Sequence, residues 1–114
     1  MKCILFVEDE FSDYIVKALE DIGYLVLSYE DGISVYKDIK AGLRYDLALI
    51  DFSLRYFNWE SIMRISKERN PKIPVISLSD YPIESTYSDT NITKPIELSR
   101  LINIINSHLQ KAYK

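Results

Sequence analysis

The sequence predicts an α/β fold, a parallel sheet with helices on both faces. Three observations carry this reading. Short apolar runs alternate with stretches of helical periodicity along the whole of the 114 residues. The runs are apolar throughout, as strands buried on both faces are. Acidic, hydroxyl or basic residues collect just past the runs, where the carboxyl ends of parallel strands would bring them to one edge.

The elements follow in order. Cys3-Ile4-Leu5-Phe6-Val7 is the first strand. Phe11, Tyr14, Ile15, Ala18, Leu19 and Ile22 then recur with the spacing of one helical face, and Gly23 stands where a C-terminal cap is expected. Leu25-Val26-Leu27 is a second strand. Asp31-Gly32 punctuates the chain before a helix marked by Ile33, Tyr36, Ile39 and Leu43, with Gly42 near its end. Leu47-Ala48-Leu49-Ile50 is a third strand that stops at Asp51. Trp59, Ile62, Met63 and Ser66 give a third helical face, closed by Asn70-Pro71. Ile73 to Leu78 is the fourth strand, entered through Pro74 and left at Ser79. A fifth strand is short, around Thr90 to Thr93. Leu98, Leu101, Ile102, Ile105 and Leu109 mark a final helix after Pro95.

The length suits one domain spanning residues 1–114 and is too short for two cores. A hydrophobic fraction of 47% with 27% charged residues is that of an ordinary soluble globular protein. The net charge is −3 and the basic residues are scattered. This argues against direct binding to nucleic acid, where a basic face supplies most of the affinity. No apolar run nears the roughly 18 residues of a membrane span. Met1 to Val7 runs straight into acidic residues, unlike a secretory leader, so a cytoplasmic location is expected. Cys3 is the only cysteine, so an internal disulfide is excluded, and its apolar run suggests a buried, inert thiol. His108 is likewise alone of its kind and reads as a surface or boundary residue.

The polar residues past the strands form a chemical set. Glu8, Asp9 and Glu10 follow the first strand, Asp51 the third, Ser79 and Asp80 the fourth, and Lys94-Pro95 the fifth. Carboxylates from adjacent strand ends are hard oxygen ligands of the kind magnesium takes. A carboxylate is also a competent nucleophile toward phosphorus. A metal, a lysine and a hydroxyl supply the charge neutralisation that phosphoryl transfer needs. Taken singly, each has a plainer reading. The acidic run favours a helix N-terminus, Asp51 suits a loop or cap, and Pro95 suits a helix start. Their joint occurrence, each at the exit of a different strand, is what points to a site.

On these residues the chain resembles the receiver domain of bacterial two-component response regulators, over nearly its whole length. CILFVEDE, Cys3 to Glu10, is similar to the family's first strand and acidic pair. Tyr45 to Asp51 resembles the third strand ending in the phosphoacceptor. Ile73 to Ser79 resembles the fourth strand with its terminal hydroxyl, and Thr93-Lys94-Pro95 the Lys-Pro step. The resemblance implies a flavodoxin-like fold with strand order 2-1-3-4-5. It implies Asp51 as phosphoacceptor and magnesium (Mg2+) held by Glu8, Asp9, Asp51 and the backbone carbonyl of Ser53. Lys94 would pair with the phosphoryl oxygens, and Ser79 would hydrogen-bond the phosphoryl group and shift on activation. The implied donor is a histidine kinase or phosphotransfer protein.

The chain also departs from the pattern. Arg55 and Trp59 stand where the family commonly has Pro and Gly, and the segment is rich in aromatics: Phe52, Tyr56, Phe57 and Trp59. Asp80 replaces a small residue, and Asn91 replaces the usual strand-five aromatic. Residues 80–93 are too few for strand, loops and a full crossover helix, so the fourth helix of the family is expected to be shortened or absent. Two readings result. The first is a phosphorylation-dependent switch signalling by protein–protein contact. The second is a pseudo-receiver of the same fold, unphosphorylated, serving as a binding or dimerisation module. An enzyme acting on external substrates is disfavoured, because residue 53 is Ser where a second carboxylate would be needed. A homodimer surface is suggested by Ile104 and the nine tyrosines.

Overall fold

A computed structural model describes residues 1–8, 12–52 and 58–110. Five strands, β1 (Cys3–Val7), β2 (Leu25–Tyr29), β3 (Leu47–Asp51), β4 (Val75–Ser79) and β5 (Thr90–Thr93), form one parallel sheet in the order β2-β1-β3-β4-β5. Four helices connect or follow them: α1 (Asp13–Asp21), α2 (Gly32–Lys40), α3 (Trp59–Arg69) and α4 (Leu98–Leu109).

Period-two alternation in the apolar strands builds two cores, one on each face. Ile4 and Phe6 of β1, Leu47 and Leu49 of β3, and Ile76 and Leu78 of β4 face Ile15 and Leu19 of α1 and Leu101 and Ile105 of α4. Their neighbours Leu5, Val7, Ala48, Ile50 and Val75 face Val35 and Ile39 of α2 and Ile62 and Met63 of α3. A strand with both faces so covered needs continuous apolar sequence, which is the pattern observed. The helices end where the glycines stand. Gly23 and Gly42 have φ of 107° and 106°, a region that side chains with a Cβ rarely enter. Asn58 caps α3 by accepting the Glu60 amide at 2.9 Å.

Several expectations need adjusting at the edges. β4 begins at Val75, not Ile73, because Pro74 has no N–H to give a ladder; its carbonyl still accepts from Ala48 at 3.0 Å. Asp51 and Ser79 are the last residues of their strands and not the first of the loops. Tyr14, Ile22, Leu25 and Ile33, assigned to apolar faces, are each about half exposed or more. Tyr14 and Ile33 lie in the first turns of α1 and α2, Ile22 follows α1 as its C-cap, and Leu25 lies on the edge strand. Phe11 lies outside the described residues. Cys3 is only half-buried, at the start of β1; burial, and then the charge of Asp46, push its thiol up. Ile104 is half-buried against the α1/α4 core, and His108 is half-buried. No helix among the described residues is long and apolar enough to cross a membrane.

Between β4 and β5 the chain forms no helix over residues 80–89. Side chains pin the segment instead. Asp89 Oδ2 accepts from the Val75 amide at 2.8 Å and from Lys67 Nζ at 2.7 Å. Lys67 also donates to the Ile73 carbonyl, and Ser85 donates to Glu60 of α3. Tyr87 packs on the α2/α3 core. Burial alone would raise the Asp89 carboxyl, but the Lys67 bond, the Val75 amide and the charges of Lys67 and His108 outweigh it and hold it below its usual value. Its stabilising contribution is therefore full above the unfolded carboxyl pKa and is lost as pH falls through the lower folded value. Lys67→Met is expected to lower the melting temperature at neutral pH, with the gap to wild type closing as pH falls below the usual carboxylate range. A gap unchanged across that range in thermal melts would refute this role.

Candidate functional site

The parallel register brings the ends of β1, β3 and β5 to one edge, with Val7 beside Ile50 and Ser79 beside Thr93. Asp51 closes β3 and is 3% exposed. Lys94 follows β5, and its Nζ lies 2.9 Å from each of the two Asp51 carboxylate oxygens. The Lys94 amide donates to the Ser79 carbonyl at 2.7 Å, which fixes the start of this turn against β4. The Lys94–Pro95 peptide is cis.

Glu8 follows β1 and is 8% exposed. Its backbone amide donates to the Tyr29 carbonyl, and its Oε1 accepts the Ser12 amide at 2.8 Å, just ahead of α1. Burial is the main cause that pushes the Glu8 carboxyl up. The Ser12 bonds and the Lys94 charge oppose this, and the nearby Asp51 carboxylate adds to it. Glu8, Asp51, Lys94, Ser12 and Pro95 line a cavity of about 260 Å³.

Of the sequence-predicted site residues, the structure thus brings Glu8, Asp51 and Lys94 together. Ser79 reaches the same edge, but its hydroxyl is turned elsewhere: Oγ lies 2.6 Å from the Tyr81 carbonyl and 3.1 Å from Asn91 Oδ1. Asp9 and Ser53, the other expected metal ligands, lie outside the described residues, as do Arg55, Tyr56 and Phe57. Among the described residues no group of three or more His, Cys, Asp or Glu could hold a metal. The two described members of the set nonetheless have the right chemistry: carboxyl oxygens, which are hard ligands, both buried and lining one small cavity. Trp59 and Phe52 stack on each other, centroids 3.4 Å apart, and pack on the α2/α3 core, so these two rings cover the end of the core. Asp80 is exposed. The residue that sequence reasoning undervalued is Asn91, which it read as a missing aromatic and not as a hydrogen-bonding group.

No family model matches the chain. In sequence it is 26% identical to the response regulator receiver protein CpdR of Brucella abortus, over 96% of this chain and 98% of that protein. In structure it is similar to a CheY-like response regulator receiver domain protein from Methanospirillum hungatei, with TM-score 0.86, 23% identity, and 97% and 95% of the two chains covered. It is also similar to the receiver domain of the sensor histidine kinase PA1611 from Pseudomonas aeruginosa, with TM-score 0.80, 23% identity, and 96% and 98% covered; that structure has a magnesium ion coordinated in its active-site cleft. Strand order, fold and end-to-end likeness agree on the class that the chain is similar to, receiver domains of the response-regulator type. Such domains are in general non-enzymatic switches of two-component signalling.

Proposed function

We propose that this receiver takes a phosphoryl group on Asp51 and signals by protein–protein contact. The observation that carries the reading is the Lys94 ammonium held equally by both oxygens of the buried Asp51 carboxylate. In the transfer, an Asp51 oxygen bonds to phosphorus while the donor's bond to phosphorus breaks and the leaving group keeps that electron pair. Lys94 neutralises charge on the phosphoryl oxygens and orients the Asp51 carboxylate. Glu8 and Asp51, with Asp9 and the Ser53 carbonyl, would hold Mg2+, which supplies further neutralisation of the transferring group. The donor is a histidine kinase or phosphotransfer protein, met in the cytoplasm. Turnover of an external substrate, and direct contact with nucleic acid, form no part of this reading.

The second reading is a pseudo-receiver that binds partners without being phosphorylated. The hydrogen bonds of the Ser79 hydroxyl to Tyr81 and Asn91 favour it, because they occupy the group expected to meet the phosphoryl oxygens. Intact mass after incubation with Mg2+ and acetyl phosphate separates the two. A gain of one phosphoryl group, absent in Asp51→Asn, is the expected result. Magnesium binding without any gain, from acetyl phosphate or from phosphorylated kinase, would establish the pseudo-receiver.

A further inference from the structure

We infer that Asn91 is a positioning residue that holds Ser79, and through it the 80–89 segment, in the resting state. What releases the hold rests on the reading of Asp51 as phosphoacceptor.

Ser77 and Ser79 are buried, at 0% and 2% exposure, and lie on the same face of β4. Buried hydroxyls must place their single protons on acceptors. Asn91 of β5 provides one oxygen to both: Oδ1 is 2.9 Å from Ser77 Oγ and 3.1 Å from Ser79 Oγ. A side-chain amide oxygen has two lone pairs, so it can take both donors at once. Ser77 Oγ is in turn 2.7 Å from Ser88 Oγ, which lies 3.1 Å from the Thr90 carbonyl. Ser79 also reaches the Tyr81 carbonyl. The Ser79 hydroxyl therefore touches the segment at one end directly, and at the other through Asn91, Ser77 and Ser88. A hydrocarbon ring at position 91 could make none of these bonds.

A phosphoryl dianion on Asp51 would compete for the one Ser79 proton, because a charge-assisted hydrogen bond is roughly twice as strong as a neutral one. Once Ser79 turns to it, the Tyr81 carbonyl and Asn91 each lose a donor. The segment that replaces a helix then keeps only its far-side contacts, through Ser85, Tyr87, Ser88 and Asp89. The output of the switch is this loosening of residues 80–89.

Amide hydrogen exchange at Tyr87, Ser88 and Asp89 reads the hold, since their N–H groups bond to Ser85 and Val75 within the closed segment. In the unphosphorylated protein, Asn91→Leu and Ser79→Ala are each expected to speed exchange about fivefold, the worth of one net hydrogen bond. The double variant should fall short of the two effects combined, because both singles remove the Ser79–Asn91 bond. Asn91→Asp keeps the accepting oxygen and should retain wild-type protection, which a purely packing role for Asn91 would not predict. Phosphorylated wild type should match unphosphorylated Ser79→Ala, which lacks both Ser79 bonds, and phosphorylation of that variant should change nothing more. Wild-type exchange in both single variants, or loss of protection in Asn91→Asp, would overturn the hold. An equal response to phosphorylation with and without Asn91 would overturn its role in release. If Asn91→Leu does not fold, Ser79→Ala carries the comparison. If wild type gains no phosphoryl mass, release by phosphorylation falls with the phosphoacceptor reading, and the hold is still decided by the unphosphorylated proteins.

Discussion

Replacing Lys94 with methionine is expected to destabilise the protein by about 2–3 kcal/mol and to slow phosphoryl transfer to Asp51 at least about hundredfold. The stability loss follows from what is left behind. Asp51, with a 4% exposed side chain, would be left beside the Glu8 carboxylate without the ammonium that now spans both its oxygens. Loss of one partner from a fully buried pair typically costs about 3–5 kcal/mol; the Lys94 side chain is 22% exposed, so solvent screening brings the cost to that range's lower end or just below it. The origin of the loss can be checked by a second substitution. Asp51→Asn in the Lys94→Met background removes the stranded charge and should recover most of the stability in denaturant melts. Millimolar Mg2+ should also recover part of it in Lys94→Met, since a cation bound only to the folded state stabilises that state. A double variant no more stable than Lys94→Met would mean that lost packing of the lysine stem, and not charge, is responsible.

Phe6→Ala should have the largest effect on folding. Phe6 sits in β1 beside the centre of the sheet, is 1% exposed, and fills the layer between the sheet and helices α1 and α4. Truncating such a ring removes its apolar burial and leaves a void, together about 3–5 kcal/mol. For a chain of this size that lowers the melting temperature by roughly 15 °C or more. Phe6→Leu, which nearly fills the space, should lose far less. A drop in Phe6→Ala of under about 1.5 kcal/mol would show that the layer collapses around the gap.

The apolar code made most of the architecture legible. Ile4-Leu5-Phe6-Val7 and Leu47-Ala48-Leu49-Ile50 can be read as doubly covered strands because each face of a central parallel strand needs apolar residues, and Asp51 and Lys94 then fall at one edge by topology alone. The shortage of residues after Ser79 likewise showed that no full helix fits there. What could not be read was the polar wiring. Asn91, Ser77, Ser88 and Asp89 have no periodicity, and their partners lie across strands, so only the β4–β5 register reveals that they meet. The Ser79 hydroxyl direction was hidden for the same reason. Helix margins were the other weak point: Tyr14 and Ile33 have the spacing of a buried stripe, yet lie at its exposed flank.

The Asp51–Lys94 pair joins residues 43 positions apart, across two strands that must first be laid beside β3. A chain emerging from the ribosome with β3 complete still has no cation for Asp51. The carboxylate and its ammonium meet only when β4 and β5 have docked, and such distant pairings form slowly. A half-synthesised copy therefore lacks the finished pair. An assembled Asp51–Lys94 contact is in this way a certificate that the sheet has closed.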